Sequence, residues 1–120
     1  MSLVITLHLL GAEAAQLHQD LRTAGLAPEV TTDWARTSIH LAARLAAGIK
    51  RAEGRAVHLT LRVELPEATA VRDWARGLLA TMPPCTHRSR ALGTLADNLA
   101  EKILMKGHLE RPGVPRKSLA

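Results

Sequence analysis

Residues 58–68 read HLTLRVELPEA, and residues 4–14 read VITLHLLGAEA, the same pattern 54 positions earlier. In each, apolar and polar side chains alternate and then give way to a Glu-Ala pair that opens a helical pattern. Leu59, Leu61 and Val63 alternate with His58, Thr60, Arg62 and Glu64, as Leu3, Ile5, Leu7 and Leu9 alternate with Ser2, Val4, Thr6 and His8. A period of two predicts a strand with one face buried. Working outward at the same offset without a gap, Thr6 meets Thr60, Leu7 meets Leu61, Glu13 meets Glu67, and Ala14 meets Ala68. Farther on, Thr32 meets Thr86, Arg36 meets Arg90, Leu41 meets Leu95, Leu45 meets Leu99, and Ile49 meets Ile103. A repeat of this length fixes the architecture before any local detail does.

Two helices are expected after each strand. In the first half, Ala14, Leu17, His18, Leu21 and Ala24 recur at helical spacing, with Gly25 as the expected terminator. In the second half, Pro66 suits a first helical position, followed by the stripe Ala70, Val71, Trp74, Leu78 and Leu79. After breaks at Gly25–Thr32 and Met82–Cys85 come two longer helices, with Thr32 or Asp33, and Thr86, as N-caps. Their expected apolar faces are Ile39, Leu41, Ala42, Leu45, Ala46 and Ile49, and Leu92, Leu95, Ala96, Leu99, Ala100 and Ile103. The expectation is an α+β, mostly helical fold, internally duplicated as β-α-α-β-α-α, with a two-stranded antiparallel ribbon over four helices. One pseudo-twofold domain would span residues 1–107, as repeats 1–54 and 55–107, followed by a basic tail at 108–120. A ribbon centred on Thr6 opposite Thr60 places His8 opposite His58.

With 120 residues, no Phe or Tyr and two Trp, the core must come from Leu, Ala, Val and Ile. Residues 1–54 carry five Lys/Arg and five Asp/Glu, whereas residues 55–120 carry eleven and six, so the +5 net charge sits in the second half. A basic half favours an anionic partner. Cys85 is the only cysteine, which rules out an internal disulfide and suits a reducing compartment. The apolar start lacks a basic n-region and carries His8 within the run, so it does not read as a signal peptide. No run approaches the roughly eighteen apolar residues of a membrane span. The six histidines fall about one to an element, without the spacing of a metal site. No phosphate loop, nucleophile elbow or paired acids point to an enzyme. Neither a cofactor nor a metal is expected, and Trp34 and Trp74 read as core or interface anchors.

The stretch HLTLRVELPEATAVRDWARGL, followed after a break by RSRALGTLADNLAEKIL, resembles the ribbon-helix-helix superfamily of the Arc and MetJ type. The resemblance covers residues 3–52 and 57–106, with both halves in one chain, like the tandem members from conjugative plasmids. This chain departs from the family in its longer second helices, in the absence of a turn glycine after the third helix, and in a first strand without Lys or Arg. The resemblance implies a cytoplasmic protein that binds double-stranded DNA, a repressor or a plasmid or phage accessory factor, as a monomeric pseudo-dimer or a higher homo-oligomer on DNA. Thr6, His8, His58, Thr60 and Arg62 would meet base edges, Arg62 with the strongest discriminating chemistry. Thr32, Arg36, Thr86 and Arg90 match the place where the family holds backbone phosphates. The competing expectation is a protein-binding adaptor or inhibitor that keeps the scaffold without DNA binding.

Overall fold

The computed structural model describes residues 2–27 and 29–110, the last four of these without their side chains. The order is β1 (Ser2–Leu9), α1 (Gly11–Leu26), α2 (Thr32–Ala52), β2 (Val57–Glu64), α3 (Leu65–Leu79) and α4 (His87–Glu110). The fold is α+β and mostly helical, as expected. β1 and β2 pair antiparallel, with Leu7 against Leu59, Thr6 against Thr60 and His8 against His58.

The alternation of the strands decides which face is covered. Leu3, Ile5, Leu7 and Leu9, with Val57, Leu59, Leu61 and Val63, point into the core and are 0–5% exposed. Every intervening residue of the ribbon from Val4 to His8 and from His58 to Glu64 is exposed. The four helices therefore cover one face of the ribbon only, α4 packing against β1 and α2 under β2. Gly48 of α2 allows that approach: a Cβ there would lie 3.3 Å from a Val57 methyl and 3.5 Å from a Leu59 methyl.

The turn from strand to helix is built the same way twice. The Leu10 N–H donates to the Glu13 carboxylate at 2.8 Å, and the Glu64 N–H donates to the Glu67 carboxylate at 3.1 Å. Each glutamate satisfies a backbone donor at the start of its helix, so the chain bends directly from strand into helix. Behind these corners the buried positions also recur. Ala14, Leu17 and Leu21 are buried in α1, and Ala68, Val71 and Ala75 in α3. Leu41, Ala42 and Leu45 are buried in α2, and Leu95, Ala96 and Leu99 in α4. α2 ends through Glu53 and Gly54 at φ of 50° and 84°, a left-handed pair that returns the chain to β2.

Several local expectations are corrected. Gly25 does not end α1; it is buried inside the helix where α1 crosses α2. The cap of α2 is Thr31, whose hydroxyl accepts from the Trp34 N–H at 3.2 Å, so Thr32 is the first helical residue. Thr31 can turn its hydroxyl back because it lies in extended backbone, whereas Thr32 is already helical. The buried face of α2 is rotated toward Thr37, Ser38 and Gly48; Ile39 is 38% exposed, and Ala46 is exposed. Small residues lie where neighbouring elements come closest, and an apolar-only reading passes over them. Ala70 is likewise exposed on α3. α4 continues through Gly107 to Glu110, and the rest of the expected tail, residues 111–120, lies outside the described residues.

Candidate nucleic-acid interface

The uncovered ribbon face brings five of the expected residues together. From one end to the other, the cross-strand pairs are Ser2–Glu64, Val4–Arg62, Thr6–Thr60 and His8–His58. Thr6, His8, His58, Thr60 and Arg62 are all exposed, on the side away from the helices. Directly opposed side chains on such a ribbon have Cβ atoms about 4.5–5.5 Å apart, so each pair offers two groups to one ligand. The His8 and His58 rings touch edge to face, with centroids 4.5 Å apart and Nδ1 facing Nδ1. One imidazole must donate there and the other accept, so the contact holds a single proton.

The two helix starts have different surroundings. Thr86 caps α4, its hydroxyl accepting from the Ser89 N–H at 3.0 Å while Ser89 accepts from the Thr86 N–H at 3.0 Å. The reciprocal bonds leave the N–H groups of His87 and Arg88 as donors without an intrahelical acceptor. Arg90 is exposed one turn in, beside a shallow depression lined by Leu79, Met82, Pro84, Cys85 and Ser89. Arg36 is also exposed, but it lines a cleft with Asp33, Glu64 and Glu67, where carboxylates offset its charge. Thr32 is exposed in the first turn of α2. The two helix starts therefore differ: the α4 end is the more cationic.

Two residues that the sequence reading missed lie closer to the ribbon. Arg44 donates to the Thr60 carbonyl at 3.0 Å, so it rests on the free edge of β2. His40, Arg44 and Arg62 line a groove of about 580 Å³ along that edge, together with Val4, Thr60, Glu64 and Glu67. Of the carboxylates, Glu67 is held by the Glu64 N–H and by the Thr37 hydroxyl at 2.8 Å. His40 and Arg44 are four residues apart on α2, flanking the buried Leu41 and Leu45, and that spacing was the available signal.

The helix junctions differ in chemistry at positions 54 residues apart. Between α1 and α4, the Arg88 guanidinium meets the Asp20 carboxylate at 2.9 Å. Fifty-four positions away on each side are Trp74 and Trp34, which pack together between α3 and α2 with centroids 5.8 Å apart. One junction is ionic and the other aromatic. Among the described residues no group of three or more His, Cys, Asp or Glu converges as a metal site, and no helix is long and apolar enough to cross a membrane. No family model, curated protein or solved structure matches the chain.

Proposed function

We propose that this chain is a sequence-specific, non-enzymatic double-stranded DNA-binding protein of the ribbon-helix-helix kind, formed by duplication of one β-α-α unit. Its work would be that of a cytoplasmic repressor or a plasmid or phage accessory factor. The observation that carries the reading is the bare ribbon face. Its central rows present hydroxyls, imidazoles and one guanidinium, with all the apolar strand residues but Val4 turned inward. Two strands about 4.8 Å apart fit a major groove about 12 Å wide, where such groups meet base edges. The duplication is supported by the strand-to-helix glutamates and by buried positions that recur at the same offset.

In this reading Arg62 reads a base, Thr6 and Thr60 make single hydrogen bonds at the centre, and His8 and His58 cover the far end. Arg44 and His40 meet the phosphates beside β2, and the α4 start with Arg90 meets those on the other flank. Mobility shifts with duplex DNA across a salt series test this. Affinity falls steeply with salt if phosphates are held. Arg62→Ala lowers discrimination between sites by about 1–3 kcal/mol, while Arg90→Ala weakens all sequences alike and reduces the salt slope by about one. Equal, salt-insensitive behaviour of wild type and both variants would move the protein to the adaptor reading.

A further inference from the structure

We infer that His8 and His58 form a binding site for a divalent transition-metal ion of the zinc and copper class on the exposed ribbon. The argument rests on convergence that spacing in the sequence hides: the two residues are fifty apart yet directly opposed across the strands. Both side chains are exposed, their rings stand at 81° to one another, and their Nδ1 atoms are 2.5 Å apart. Two imidazole nitrogens this close can share a hydrogen bond, and slightly farther apart the same two nitrogens can ligate one metal ion. Metal–nitrogen bonds of about 2.0–2.1 Å at a tetrahedral angle place two ligand nitrogens about 3.3 Å apart. The rings therefore need to part by less than about 1 Å, a small rotation of exposed side chains whose Cα positions the ladder already fixes. Imidazole suits zinc, copper and nickel, and affinity rises toward copper along the first-row series.

Among the described residues no third His, Cys, Asp or Glu joins the pair, so the remaining positions face solvent and take water. For the ion to enter, the ring that carries its proton on Nδ1 must move it to Nε2, which water can mediate at an exposed imidazole. Both Nδ1 lone pairs then point at the metal. The edge-to-face angle of the rings lets the two lone pairs converge without stacking the planes. The ion would lie two residues from the Thr6–Thr60 pair, but the site stands whether or not the ribbon reads DNA.

Titrating Zn2+ into the full chain, followed by the carbon-bound ring resonances of all its histidines, tests the site on the unmodified protein. The His8 and His58 rings are expected to shift together and saturably, and the thermal midpoint to rise with zinc. His8→Ala and His58→Ala should each lose at least about tenfold in affinity, because each removes half of the protein ligands. A Cys85→Ser, His87→Ala control should bind zinc like the wild type. The inference is overturned if those two rings do not move, if either alanine variant binds as tightly as wild type, or if the control loses the zinc. The ring resonances need no substitution, so a variant that failed to fold would leave the test intact.

Discussion

Gly25 sits where α1 and α2 cross, and its missing side chain is a structural requirement. A Cβ there would lie 2.4 Å from the Ser38 hydroxyl and 2.9 Å from two carbons of Ile39. Ile39 is partly exposed and can swing away, but Ser38 is fully buried, its hydroxyl donating to the Ala35 carbonyl at 3.2 Å. Gly25→Ala should therefore destabilise the fold by about 1–3 kcal/mol despite the better helix propensity of alanine. Adding Ser38→Ala should recover part of the loss in a denaturant melt. Gly77 and Gly93 have open space around the same position. There Gly→Ala should stabilise by roughly 0.5–1 kcal/mol, from helix propensity alone. A stabilising Gly25→Ala would show that the two helices do not touch at this point. The same glycine shows what a sequence reading misses. Glycine near the end of an apolar stripe reads as a terminator from local preference, and only the neighbouring helix shows that it is a contact.

At the scale of elements, the two helix junctions invite direct comparison. Asp20 is only 11% exposed at its side chain, and the Arg88 side chain that meets it is 43% exposed. Arg88→Ala leaves a nearly buried carboxylate without its partner, so it should cost about 1–3 kcal/mol. Replacing both residues with leucine should cost less than that single change, because no nearly buried carboxylate is then left without a partner. At the opposite junction, Trp34→Ala removes an aromatic contact of a half-buried ring and should cost about 1–3 kcal/mol. Thermal and urea melts of the three variants decide this; a larger loss for the double leucine variant than for Arg88→Ala would overturn it. Strands, helix count and strand pairing were legible because period-two alternation and a constant offset survive in an alanine- and leucine-rich chain. The junctions were not, since matching by identity overlooks Asp20 and Arg88, which lie 54 positions from Trp74 and Trp34 but share no chemistry with them. The candidate face was legible for the same reason as the strands. His40 and Arg44 were not, because the α2 stripe lies rotated from its apolar-only reading.

At the scale of the whole molecule, both strands of the ribbon and all the helices that cover it come from one chain. Their pairing is an intramolecular event, closed through α1, α2 and the turn at Glu53 and Gly54. An obligate dimer gains stability with concentration, whereas a fold completed within one chain does not. The thermal midpoint should therefore be the same over a hundredfold range of chain concentration. A midpoint that climbs with concentration would show that a second copy completes the fold. The same closure frees the two ends of the ribbon to differ, because no exact twofold forces equal side chains on them. One end presents Val4 with Arg62 and then Ser2 with Glu64; the other presents His8 with His58. A DNA site read by this face should accordingly be non-palindromic, with a guanine favoured at the Arg62 end, where a guanidinium pairs with O6 and N7. Selection of bound sequences from a random duplex pool measures this directly. Arg62→Ala should flatten the preference in one half of the site and leave the other half unchanged, and His8→Ala with His58→Ala should do the reverse. A symmetric selected site, or a loss spread evenly over both halves in either variant, would contradict a ribbon whose two ends do different chemistry.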